Sequence, residues 1–243
     1  HENEIPHSFS KASLFAADAA REAPFKERSD LRNIPLVTID GSDAKDFDDA
    51  VWAEPDPETE NIGGWHLLVA IADVAWYVRP GEPLDHDAKE RGNSVYFPDR
   101  VIPMLPEALS NGLCSLRPGE DRPCLAVHMW IDKTGKLTRH KFVRGIMKSA
   151  ARLTYEQVQS AWDGNPDNYT KNLLSKAIIP LYGAFRALLI ARKKRGTLDL
   201  EVPERRIELA DDGTVIAIRH QERLDSHRII EEFMITANVA AAE

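Results

Sequence analysis

Residues 36–40 (LVTID), 50–54 (AVWAE) and 65–78 (WHLLVAIADVAWYV) are apolar segments in close succession, and only the acidic stretch SDAKDFDD and its flanks part the first two. Short β-branched and aromatic runs bounded by turn residues read as strands, and a continuous apolar run reads as a strand buried on both faces. The three segments predict a β-meander with the acidic loop at one end. The expected fold class is α+β, a mixed α/β arrangement with an antiparallel β-rich core and flanking helices.

The remaining pattern fits that frame. Residues 1–33 mix polar and apolar stretches around Pro6 and Pro24 and read as a linker carrying a short helix near 11–22, ahead of a domain over 34–243. Residues 84–91 predict a helical turn or two. The segment SVYFPDRVIPMLPEALS holds three prolines and reads as a path across a surface, with a short helix after Pro106. Strands are expected at 124–131 and 137–147, joined by the turn Asp132-Lys133-Thr134-Gly135. TYEQ, from Thr154, fits a capping box. A helix over about 171–195 should stop at Gly196, with Pro180 kinking it or marking its true start. A hairpin turning at Asp211-Asp212-Gly213 and a helix from Asp225 complete the chain.

Composition narrows the function classes. With 243 residues, 43% hydrophobic and 29% charged, the chain has the make-up of a soluble globular protein of one or two domains. No run approaches the roughly 18 apolar residues of a membrane helix, so no membrane partner is expected. Cys114 and Cys124 build neither a metal framework nor a disulfide scaffold and read as reduced thiols of a cytoplasmic protein. A formal net charge of -8 argues against a protein that simply coats phosphates. It leaves room for an enzyme that grips nucleic acid locally, because bound cations invert the charge of an acidic site. The chain starts at His1 and ends at Glu243 inside a helical pattern, as expected of an excised or processed fragment.

Asp40, Asp43, Asp46, Asp48 and Asp49 lie within ten residues. Charges this close repel, and solvent, Lys45 or a metal must neutralise them. A solvated acidic turn is the plain reading. Against it, the loop is short, is flanked by apolar strands, and has Phe47 and Ala50 interleaved, which should draw some carboxylates inward. An EF-hand fails on spacing: counted from Asp40, Ala44 stands at a ligand position and Gly41 is misplaced. Magnesium suits the loop better, since it takes one or two carboxylates, keeps waters and relies on substrate phosphate. Two such ions about 3.5–4 Å apart would clamp an in-line phosphodiester hydrolysis.

TIDGSDAKDFDDA resembles the signature of the RNB exoribonuclease family, the ribonuclease II and ribonuclease R group. VAIADVAWYVRPGEPLD, ERGNSVYFPDRVIPMLPEALSNGLCSL and HRIIEEFMITANVAAAE are similar to further family blocks in the family order, and the resemblance runs over residues 5–243. NSVYFPDRVIPMLPE is closer in wording to ribonuclease R. The resemblance implies processive 3′-to-5′ hydrolysis of single-stranded RNA to nucleoside 5′-monophosphates with Mg²⁺, or Mn²⁺ in its place. It implies Asp40 and Asp49 as direct metal ligands, Asp46 as a further holder of the metal pair and a catalytic residue, and Asp48 as the residue most needed for the chemical step. Asp43 falls at a position that is not regularly acidic and reads as spare solvated charge. Tyr96 resembles the family tyrosine near the scissile end of the RNA, and Arg100 beside it is a phosphate candidate. Single-stranded RNA is the implied partner, with other RNA-decay proteins as further candidates. The family often has His at the position of Ala70 and Ser-His at Ala75 and Trp76. Family members also carry cold-shock-like OB domains before this region, an S1 domain after it, and a second half of the catalytic domain with an arginine-bearing block; the chain is expected to be the N-terminal half of that domain.

Other features have plainer readings. Glu231 and Glu232 sit on the last helix, where pairs such as His227 with Glu231 would make a charged face. Arg192, Lys193, Lys194 and Arg195 suit a helix C-terminus in any protein, with RNA-backbone contact as the alternative. Tyr96 is otherwise a packed strand aromatic. No Ser/His/Asp order, P-loop or dinucleotide glycine pattern is present. The rivals to the nuclease reading are an RNA-binding module that has lost its chemistry, a scaffold fragment, and a metal phosphoesterase acting on a small substrate.

Overall fold

The computed structural model describes residues 5–198, 204–210 and 212–243. In chain order the elements begin with α1 (Lys11–Ala19), β1 (Ser29–Asp30), β2 (Val37–Asp40), β3 (Asp49–Pro55), β4 (Trp65–Ala72), α2 (Val74–Tyr77) and α3 (Pro83–Arg91). There follow β5 (Val95–Tyr96), β6 (Val101–Ile102), β7 (Asp121–Ile131), β8 (Leu137–Lys148), β9 (Ala151–Thr154) and α4 (Tyr155–Trp162). The last are α5 (Ile179–Lys194), β10 (Glu204–Leu209), β11 (Val215–Gln221) and α6 (Asp225–Ala242). They form two compact units: His1–Pro24 with Val74–Ser115 and Leu200–Glu222, and Phe25–Asp73 with Leu116–Asp199 and Arg223–Glu243.

The larger unit is built on a mixed sheet of strand order β1-β8-β7-β4-β3-β2-β9. The expected meander is its centre: β2, β3, β4, β7 and β8 pair antiparallel in succession. Two parallel pairings, β1 with β8 and β2 with β9, close the edges and make the sheet mixed. One face is a continuous apolar layer, in which Val51, Val69 and Val127 stand in register across three strands. Against that layer lie Val158 of α4, Leu181 and Phe185 of α5, and Ile229 and Phe233 of α6. Each of these side chains is essentially removed from water, a gain of about 1.5–3 kcal/mol apiece.

Three boundaries differ from the sequence reading. The apolar run 65–78 is strand only as far as Ala72, and Val74–Tyr77 is helical. At the break stands Asp73, whose buried carboxylate pairs with Arg28 at 2.6 Å and whose N–H donates to the Pro123 carbonyl at 3.3 Å, so the chain leaves the ladder there. Strand β7 starts at Asp121 rather than Cys124. Regular α5 starts at Ile179 after a π-helical turn, Leu174–Ile178, so Pro180 marks a start and not a mid-helix kink; a proline lacks the N–H that an interior position must donate. Leu174–Lys194 is also long and apolar enough by length and composition to cross a membrane, which the sequence reading did not anticipate. Here Leu181, Tyr182, Phe185 and Leu188 along it are buried in the core under the sheet. At its C-terminal end Arg192 forms an ion pair with Glu232 of α6 at 2.6 Å, with Arg195 at 3.7 Å. Two of the four cations of the basic run are thus turned toward α6.

The smaller unit holds α1, α2, α3, the β5–β6 pair, a π-helical turn at Ala108–Leu113 and the β10–β11 hairpin. Helix α1 is capped by Ser10, whose Oγ accepts from the Ser13 N–H at 3.1 Å, the oxygen-bearing side chain that a helix start needs. Of the expected hairpin turn, Asp211 lies outside the described residues, while Asp212 accepts from Thr214 and Gly213 takes φ 82.

Candidate active site

The acidic loop joins the C-terminal end of β2 to the start of β3, with Asp40 as the last residue of one strand and Asp49 as the first of the other. Its course is held at both ends. The Ala44 N–H donates to the Gly41 carbonyl at 3.2 Å, closing a turn. At the far end the Phe47 carbonyl accepts from the Leu116 N–H at 2.8 Å, and the Asp48 carbonyl accepts from the Ala72 N–H at 2.9 Å. Parallel pairing of β9 with β2 sets Thr38 opposite Arg152 and Asp40 opposite Thr154. Arg152 Nη2 donates to the carbonyls of Gly41 and Ser42, each at 2.9 Å, and its guanidinium stands 5.4 Å from the Phe47 ring centre.

Four expected residues are brought together and act on one another. Asp40 is half-buried; burial raises its carboxyl above the ordinary value, the Gly41 N–H bonded at 2.7 Å opposes that, and Asp46 adds repulsion. Asp48 is open to solvent, yet it too is raised, by the loss of water around it first and by Asp46 and Asp40 after that. Asp49 is pushed up to about 7, by burial first and then by Asp40 and Asp48. Its Oδ2 is buried without a hydrogen-bond partner, a costly state for a carboxylate unless a cation or donor meets it. Asp43 is exposed.

This donor set fits a hard cation, being all carboxylate oxygen with one buried oxygen left over. Among the described residues no three His, Cys, Asp or Glu side chains converge closely enough to hold an ion by themselves; Asp40 is turned toward its neighbour's N–H. A site of that kind suits an ion that keeps waters and borrows ligands from phosphate, as magnesium does, and not one that needs a closed protein cage.

Two neighbours of the loop were missed. Arg152 reaches it from 111 residues away in sequence, a distance across which no local pattern signals contact. Tyr155 follows the capping residue Thr154, which itself matches expectation: Thr154 Oγ1 accepts from the Gln157 N–H and the Gln157 side chain accepts from the Thr154 N–H. The capping box located the helix start but not what its first residue faces. The β2–β9 pairing sets Thr154 opposite Asp40 and so brings Tyr155 to this end of the sheet; its hydroxyl is pushed upward by burial first and then by Asp40, Asp49 and Glu231. Its ring stacks on His227, centroids 4.0 Å apart. Glu231, expected to face His227, is held by Arg223.

Tyr96 and Arg100 belong to the smaller unit. Tyr96 stands on β5 and is 67% exposed, so it is not a packed core aromatic. The Phe97 N–H donates to the Arg100 carbonyl at 2.8 Å, Arg100 pairs with Asp99 at 2.5 Å, and its guanidinium lies 5.1 Å from the Phe97 ring centre.

A family model described as the RNB domain matches residues 28–243. The chain belongs to the RNB-domain family. This RNB domain is 44% identical over 245 residues to Ribonuclease R of Escherichia coli (strain K12), an alignment that takes in 99% of the chain and 30% of that protein. It is 41% identical over 251 residues to Ribonuclease R of Thermotoga maritima, covering 34% of it. Its likeness is therefore to ribonuclease R, as NSVYFPDRVIPMLPE indicated. Among solved structures it superposes on Mycoplasma genitalium RNase R in complex with ribose methylated single-stranded RNA, with a TM-score of 0.86 at 30% identity over 98% of this chain and 37% of that one. The chain thus spans about a third of the length of these relatives.

Proposed function

We propose that this RNB domain is the N-terminal part of the catalytic domain of a hydrolytic exoribonuclease. In this reading the whole protein removes nucleotides processively from the 3′ end of single-stranded RNA and releases nucleoside 5′-monophosphates. The observation that carries it is the braced acidic loop, with the buried, unpartnered Asp49 oxygen among four mutually repelling carboxylates. Likeness to ribonuclease R supports the substrate class.

Asp40, Asp46 and Asp49 would hold Mg²⁺, with Mn²⁺ as the alternative cation. Bound there, a pair of such ions would supply an activated water and charge stabilisation at the leaving 3′ oxygen. Asp48 is the exposed member of the cluster and its carboxyl is raised, which suits it to orient the attacking water and take its proton. Tyr96 offers an exposed ring for base stacking, worth about 1–3 kcal/mol per base and tolerant of sequence, and Arg100 offers a guanidinium that phosphate would win from Asp99. The buried thiols of Cys114 and Cys124, which form no disulfide, support a cytoplasmic setting.

The second reading is an RNA-binding or scaffold fragment without activity of its own. It is favoured by the lack of a converged three-ligand group among the described residues and by the third of its relatives' length that the chain spans. A degradation assay separates the two. The intact gene product and the 243-residue chain are given 5′-labelled single-stranded RNA and Mg²⁺, each beside Asp48→Ala. Shortening from the 3′ end to mononucleotides by the intact protein, lost in Asp48→Ala with RNA binding retained, is the expected result. An intact wild-type protein that binds RNA and never cleaves it would sink the enzyme reading.

A further inference from the structure

Arg152 reaches the acidic loop and places its hydrogen bonds on backbone. Its Nη2 donates to two carbonyls at the start of the loop, and its guanidinium covers Phe47 near the loop's end. Its Nε is buried with no hydrogen-bond partner among the described residues. A guanidinium is a rigid planar fork, able to hold two carbonyls at once where an ammonium is a point charge. Had it paired with the aspartates, it would compete with any cation for their oxygens. Placed on the backbone, it stiffens the loop and contributes positive charge while leaving those oxygens open.

We propose that Arg152 is a positioning residue for cation binding: by clamping the Gly41 and Ser42 carbonyls and covering Phe47, it fixes the backbone from which Asp40, Asp46, Asp48 and Asp49 are aimed. Its consequence for cations rests on the metal-dependent reading above, whereas the clamp itself does not. Residues that orient ligands from behind typically cost 10–100-fold in metal affinity when removed.

Two measurements on this chain test the proposal. Mn²⁺ affinity is read from the electron paramagnetic resonance of the free ion. Amide exchange in chelator is read at Ala44, whose N–H closes the loop turn on Gly41, and at Val69 and Val127 in the sheet centre as a control. Arg152→Ala is expected to weaken Mn²⁺ binding by about 10–100-fold and to speed exchange at Ala44 while Val69 and Val127 keep their protection. Arg152→Lys, which keeps the charge but replaces the planar fork with a point charge, is expected to recover only part of both. Unchanged Mn²⁺ affinity and unchanged Ala44 exchange in a folded Arg152→Ala variant would overturn the proposal. So would exchange that rises equally at Val69 and Val127, which marks a general strut. If Arg152→Ala does not fold, Arg152→Met, which keeps the stem and loses every donor, is read in its place. A wild-type chain that binds no Mn²⁺ removes the metal reading and with it the aiming role; exchange at Ala44 then decides the clamp alone.

Discussion

His66 and His128 stand on neighbouring strands with Nε2 and Nδ1 3.0 Å apart, and His66 lies flat on Trp130 with ring centres 4.5 Å apart. Packing takes both rings partly out of water, so both favour the neutral form. His128 is pushed down to about 4, by burial first and then by His66 and Lys141; His66 is lowered chiefly by burial. The unfolded chain protonates such a ring near 6.5, before the folded one does. The contribution of His128 is therefore intact above about 6.5 and is lost as pH falls from there toward about 4. His128→Gln should flatten the fall in melting temperature across that window relative to wild type. Parallel curves for the two proteins would show that this ring does not carry the slope. At the same scale, the aspartates were legible because they are adjacent in sequence and lie between two strands. Arg152 and Tyr155 were not, because a parallel strand pairing brings them in from a distant segment. Nor does a motif reveal that Asp49 is the buried carboxyl and Asp48 the exposed one; that follows from how β3 enters the sheet.

The turn between β7 and β8 was readable from Asp132-Lys133-Thr134-Gly135, and Gly135 indeed takes φ 78. Its second constraint lies in packing: a Cβ there would come within 2.1 Å of the Ala187 carbonyl oxygen on α5. Gly135→Ala is expected to cost about 1–3 kcal/mol through overlap, on top of the strain of a left-handed backbone. For a chain of this size that is roughly 2–4 °C of melting temperature per kcal/mol. Gly164, with φ 94 and nothing within 4 Å of a built Cβ, is the matched control for backbone strain alone. Equal losses in Gly135→Ala and Gly164→Ala would show that the approach of α5 imposes nothing. Strand and helix identities were legible wherever a periodic segment ended in local chemistry, such as the Thr154 cap or the Asp225 start of α6. The end of β4 was not legible, because residues 74–78 stay apolar while the buried Arg28–Asp73 pair interrupts the ladder.

Across the whole molecule the formal net charge is -8, and part of the cationic side-chain supply is tied up, with Arg192 on Glu232 and Arg28 on Asp73. On the proposed function, contact of this chain with RNA should therefore neutralise few phosphates. Each contact to a single strand contributes a slope of roughly -0.7 in log affinity against log salt. We expect a slope of about -2 or shallower for a labelled oligonucleotide titrated between low and physiological salt, which corresponds to about three contacts. A much steeper slope would reveal a basic track that the net charge conceals. By itself the sequence determined the meander, the acidic loop between its first strands, the helix caps and the family, since each rests on contiguous residues whose spacing obeys strand or helix geometry. Tertiary structure alone decided the parallel edges of the sheet, the division into two units of discontinuous segments, and the arrival of Arg152 and Tyr155 at the carboxylates. Those features depend on contacts between distant residues, where chain-closure entropy is set against burial and hydrogen bonding summed over the whole sheet, and no local pattern carries that sum.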